Sequence, residues 1–124
     1  MPDARTRSAE AHAKTVGFST GDIAGFLQET LGQKLVALMA GVKDSKEVGR
    51  WARKDCAPRY EPERRLRLAF QVFHLLQNEE SPHTVRAWFV GINPQLDSVS
   101  PAEAIRDGHL RDVLVAAEAY VAGG

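Results

Sequence analysis

The residues able to do chemistry in this chain are few and scattered. Four histidines, His12, His74, His83 and His109, are the natural candidates for acid–base work or metal ligation. No two sit at a helical metal-ligand spacing, and none lies near a carboxylate in a zinc-like pattern. His74 falls within an apolar helical stretch and reads as a core or boundary histidine. Glu61, Glu63, Glu79 and Glu80 read as solvated or capping charges. The single cysteine, Cys56, rules out an internal disulfide and any Cys-based metal site. There is no Gly-rich phosphate loop and no Ser nucleophile motif. The chain is expected not to be an enzyme and to need neither cofactor nor metal.

What remains is the chemistry of recognition. Formal net charge is zero, which argues against wholesale coating of nucleic acid, but the charge is unevenly spread. Lys43 to Arg67 holds nine basic and five acidic residues, whereas Ser81 to Gly124 holds three basic and five acidic. A basic middle and an acidic end suggest two different partners.

The elements that must position these groups are all helices. Val-Ile-Thr runs with period two are lacking, so no sheet is predicted. Residues 1–17 are small and polar, with weak helical propensity in Ser8 to Lys14, and read as a partly disordered, flexible arm. Ser19 or Thr20 caps a helix to about Leu31 that buries Ile23, Phe26 and Leu27. Gly32 interrupts, and a second helix runs from Gln33 to Ala40, ended by Gly41. Asp44-Ser45-Lys46-Glu47 reads as a capping box opening a third helix to about Lys54. A long fourth helix follows Pro62 and ends near Asn78. Leu66, Ala69, Phe70 and Phe73 form one apolar stripe, and Leu68, Val72 and Leu75 a second. A helix apolar on two sides must be covered on two sides, so it is the expected spine between two small units. Ser81-Pro82 and Ser100-Pro101 each open a shorter helix. Gly108 ends the second of these, and a last helix runs from His109 to about Val121.

The basic segment has a specific geometry. Ala37 is small enough to let two helices approach, Gly41 makes the turn between them, and Val48 with Trp51 pins the second helix on the first. Ser45, Lys46, Gly49, Arg50 and Arg53 then project outward, with Gln33 and Lys34 at the start of the first helix. This pattern resembles the helix-turn-helix of Xre-type repressors. The resemblance implies that the second helix enters a major groove, where Arg50 or Lys46 reads base edges. Lys43, Arg53, Lys54 and Arg59 would hold phosphates. The span from Val42 to Trp51 is one residue longer than the usual spacing, so the turn is expected to bulge.

Further on, Trp88, Asn93-Pro94-Gln95-Leu96, Pro101, Ile105 and Asp107-Gly108 follow in an order that resembles the toxin-binding domain of Xre/MbcA/ParS-like antitoxins. The family pairs with RES-domain toxins, which degrade NAD, and its C-terminal segment blocks the toxin's active site. The resemblance implies that the plug here comprises Glu118, Tyr120, Val121, Gly123 and Gly124. The amphipathic ring of Tyr120 is of a kind enriched at hot spots.

The expected fold class is therefore all-α. A helix-turn-helix domain over 18–78 is joined by the spine helix to a toxin-binding unit over 79–124. The expected function is that of a type II antitoxin that also represses its own operon. The expected partners are a RES-type toxin and operator DNA, bound as a homodimer or a toxin–antitoxin hetero-oligomer. The alternative is a stand-alone helix-turn-helix regulator whose C-terminal unit only dimerises. No run approaches the ~20 apolar residues of a membrane span, and no secretory signal is seen, so a cytoplasmic location is expected.

Overall fold

Serine side chains that satisfy first-turn N–H groups set three of the helix starts. Ser19 Oγ accepts from Asp22 N at 3.1 Å and Ser81 Oγ accepts from Thr84 N at 3.2 Å. Ser100 forms a full capping box: its Oγ accepts from Glu103 N at 3.1 Å, and Glu103 Oε1 accepts from Ser100 N at 3.1 Å. A computed structural model describes residues 4–123, and the named elements among them are all helical. They are α1 (Ala4–Val16), α2 (Thr20–Leu31), α3 (Gln33–Ala40), α4 (Lys46–Ala52), α5 (Tyr60–Gln77), α6 (Pro82–Val90), a 3-10 turn (Pro94–Leu96), α7 (Pro101–Arg106) and α8 (Leu110–Val121). Extended pairing among the described residues is confined to an isolated bridge between Asn93 and Val99. No helix among them is long and apolar enough to cross a membrane.

The spine is α5. It packs against α1, α2, α3, α6, α7 and α8. Both of its sequence stripes are used: Leu66, Ala69, Phe70 and Phe73 are buried, and so are Val72 and Leu75, while Leu68 is half-buried against the core. Burying each of the large side chains is worth roughly 1.5–3 kcal/mol. The core is continuous across the chain, because α3 also packs on α7 and α5 on α8. His74 joins this core within an aromatic nest. Its ring stacks on Phe26 at 5.0 Å and meets the edge of Phe70 at 4.3 Å.

Four expectations need correction. The segment expected to be a flexible arm is helix α1 over Ala4–Val16, with Ser8, Ala11 and Thr15 buried against the bundle. Its composition is rich in alanine, a strong helix former, and small residues allow close packing on α5 and α8. Arg67 fixes its end by donating to Thr15 O and Phe18 O, each at 3.1 Å. Met1 to Asp3 of the expected arm lie outside the described residues.

The capping box expected at Asp44 is only half formed. Asp44 Oδ1 accepts from Lys46 N at 3.0 Å, two residues on rather than three. Ser45 is already helical at φ −62°, ψ −21°, and Glu47 makes no return bond among the described residues. Helix α4 also ends at Ala52 rather than Lys54, because Lys54 turns left-handed at φ 65°. The spine also begins earlier than Pro62, at Tyr60, with the proline inside the first turn, where no helical N–H is needed.

Candidate functional site

Gly41 sets the angle between α3 and α4. At φ 81°, ψ 25° it is left-handed, and its N–H and that of Val42 both reach Ala37 O, at 3.0 and 3.1 Å. The chain then crosses Val42 to Ser45 before α4 begins. Val48 and Trp51 are buried beneath α4, and Ala37 is buried beneath α3.

Each side chain named from the sequence has a definite place. Lys46 and Arg53 are exposed on the outer side of α4, and Lys34 is exposed in the first turn of α3. Ser45 is half-buried at the start of α4, and Lys43 is exposed in the preceding turn. Arg50 is half-buried and rests on Asp44 Oδ2 at 3.4 Å, so the residue expected to read bases begins in an intramolecular ion pair. The Asp44 carboxyl is held below the usual carboxylate range, first by the Lys46 N–H and then by Arg50. Arg53 pairs with Asp55 at 3.1 Å, and Lys54 pairs with Asp22 at 3.1 Å. These pairs are exposed and weak, so exchanging them for phosphate oxygens is cheap.

Gly49 is the residue misplaced by helical periodicity. It is buried rather than outward-facing. A Cβ there would lie 2.9 Å from Gln33 Nε2 and 3.2 Å from Arg53 Nη1. Gln33 Nε2 donates to Gln28 Oε1 at 2.7 Å across this spot. The glycine lets the first residue of α3 lie directly over α4, which brings Gln33 and Arg53 together.

Beside α4 lies a cleft of about 550 Å³ that Lys46 and Arg53 do not line. Lys43, Glu47, Arg50 and Trp51 line one wall, and Pro58, Arg59, Pro62 and Arg65 the other. Arg65 was not read from the sequence as a site residue. The signal was present: Arg59, Pro62 and Arg65 recur at intervals of three at the start of α5, which places them on one side of that helix.

The C-terminal unit is organised by Asn93. Its side chain accepts from Gln95 N at 2.9 Å and its N–H donates to Val99 O at 3.1 Å. Pro94 opens the 3-10 turn, Pro101 opens α7, and Gly108 closes it at φ 86°. Trp88 is half-buried and meets the Tyr120 ring at 6.4 Å. With Asn93, Pro94, Gln95 and Ala116 these two rings line a groove of about 300 Å³. Close by in sequence, Ile92 is 76% exposed and Val90 46%, large apolar residues turned to solvent.

The residues read as a plug divide into two groups. Tyr120 and Val121 belong to α8 and pack against the core, and Glu118 is half-buried beside them. The Tyr120 hydroxyl donates to Glu80 Oε1 at 2.9 Å, and this bond raises the phenol's pKa above its ordinary value. Gly123 is exposed at φ 87°, and Gly124 lies outside the described residues. Comparison with known protein families, with curated proteins and with solved structures finds no match for this chain.

Proposed function

We propose that this chain is the antitoxin of a type II toxin–antitoxin pair. It neutralises a NAD-degrading RES-type toxin by covering its active site, and it represses its own operon by binding operator DNA. The observation that carries the reading is the joint presence of two surfaces on one spine helix. One is α4, with Lys46 and Arg53 outward and Gln33 laid across Gly49. The other is the Trp88–Asn93–Pro94–Tyr120 groove with Ile92 exposed nearby. The sequence resemblance to Xre/MbcA/ParS-like antitoxins supports assigning DNA to the first and toxin to the second. Operator recognition by such a helix needs two half-sites, hence a homodimer or a toxin–antitoxin assembly.

The packing of Tyr120 changes which residues serve as the plug. With its hydroxyl on Glu80 and its ring near Trp88, Tyr120 anchors α8 to the body. Glu118, Tyr120 and Val121 then present the tail, and Ala122 onward enters the partner. The test is co-expression with the product of the adjacent gene, followed by pull-down and an NAD-consumption assay. The expected result is a stable complex with suppressed NAD loss, and a chain ending at Val121 that folds but protects less. No complex, with retained binding to its own promoter fragment, overturns the antitoxin reading. That outcome leaves the stand-alone regulator, which the exposed Val90 and Ile92 favour as a dimer face.

A further inference from the structure

We infer that the cleft between α4 and α5 is a phosphate-binding site, built by Lys43, Arg50, Arg59 and Arg65. Of its twelve lining residues four are cationic and only Glu47 is anionic, so its interior carries a clear excess of positive charge. Its volume of about 550 Å³ is that of a small-molecule pocket and exceeds the needs of a bare ion. Val42, Trp51, Pro58 and Pro62 add apolar surface between these cations. Cations interleaved with apolar surface suit a phosphate carrying an organic group, such as a phosphomonoester.

The cations are poised rather than spent. Lys43, Arg59 and Arg65 form no ion pair among the described residues, and Arg50 holds Asp44 only at 3.4 Å. Arg65 donates from Nη1 to Ala40 O at 3.2 Å, the last carbonyl of α3, which fixes the guanidinium between α3 and α5. Its Nε is buried and has no hydrogen-bond partner. Guanidinium forks match phosphate oxygens in pairs. Lys34, Lys46 and Arg53 do not line the cleft. Lys43, Arg50 and Arg59 are shared with the expected DNA contacts and Arg65 is not, so the cleft adjoins the outer side of α4, and free phosphate and DNA phosphate would compete for it.

Trp51 lines the cleft and supplies the reporter. The experiment uses the full chain with Trp88→Phe, so that Trp51 is the only indole. Inorganic phosphate, adenosine 5′-monophosphate, adenosine and a short DNA duplex are titrated at constant ionic strength. The expected result is a saturable change in Trp51 emission with phosphate and the monophosphate but not with adenosine. Arg59→Ala and Lys43→Ala each weaken it roughly tenfold, the loss of one charge-assisted bond. Both residues are exposed, so these variants spare the fold. If the duplex displaces the monophosphate, the natural source is a nucleic-acid phosphodiester. If it does not, the source is a free phosphomonoester. Either outcome supports the site. A response matched by chloride, or one unchanged in both variants, overturns it.

Discussion

Replacing Arg67 tests how α1 and α2 are held to the spine. Its guanidinium donates to Thr15 O and Phe18 O at 3.1 Å, to Thr20 Oγ1 at 2.9 Å and to Glu63 Oε2 at 3.2 Å. The Thr20 hydroxyl donates in turn to Glu63. One side chain thus closes the joint where α1 ends and α2 begins. Hydrogen bonds to charged groups contribute about 1.5–3 kcal/mol when shielded and exposed ion pairs about 0.2–1 kcal/mol. Side-chain exposure of 31% for Arg67 and 36% for Glu63 places the ion pair near the weak limit. The two carbonyl bonds carry most of the effect, and the set acts as one unit rather than as a sum. Arg67→Ala is therefore expected to cost about 2–3 kcal/mol, a fall of roughly 1–2 M in the urea midpoint at an unchanged slope. Arg67→Lys, with a point charge in place of a fork, recovers less than half of that. Equilibrium urea unfolding followed by far-ultraviolet circular dichroism reads both. An Arg67→Ala protein within about 0.5 kcal/mol of the parent, the scatter of ordinary surface changes, would show that the joint is held by packing alone.

Acid unfolding probes the same network. The Glu63 carboxyl is held below its ordinary 4.5, chiefly by the Thr20 hydroxyl and then by Arg67. A depressed folded pKa stabilises above the unfolded value and is lost as pH falls through the folded one. The stability gap between the parent and Glu63→Gln should be full at neutral pH and close below about pH 4.5. A gap that stays constant down to pH 3 contradicts the assignment. Gly41→Ala places a Cβ at φ 81° and 3.0 Å from Arg65 Nη1, so a loss of at least about 1–2 kcal/mol is expected in thermal melts. Ser100→Ala removes the hydroxyl from the capping box of α7 and should cost about 0.5–2 kcal/mol in urea unfolding, with Glu103→Gln costing less. Glu80→Gln should lower the pH of the Tyr120 ionisation step in ultraviolet titration, since the bond to Glu80 is what raises it.

What the sequence revealed depended on the range of the interactions involved. Ser19, Ser81-Pro82 and Ser100-Pro101 mark helix starts because capping is settled within four residues, and Gly41 and Gly108 mark ends for the same reason. The two apolar stripes of α5 were legible because their spacing is the helix period itself. Helix α1 was not, since Ser8, Ala11 and Thr15 form no apolar stripe and are buried only because α5 and α8 cover them. The outward placement of Lys46 and Arg53 follows from periodicity, but that of Gly49 fails because α3 crosses α4 at that residue. The cleft joins residues up to 24 positions apart, from Gly41 to Arg65, and a crossing of helices has no signature in either helix alone. Likewise, the bond from Tyr120 to Glu80 spans 40 positions and turns an expected contact residue into an anchor.

The continuous core around α5 has a consequence for how the two surfaces communicate. Because α3 leans on α7 and α8 on α5, neither half retains a covered hydrophobic face when the other opens. Melting is then a single event, and any ligand that binds only the folded chain draws on that same event. A partner held at the Trp88 groove slows the opening that would release Gly49 and Gln33, although it touches neither. Occupancy at one end thus sets the lifetime of the other against proteolysis without any change of shape passing between them.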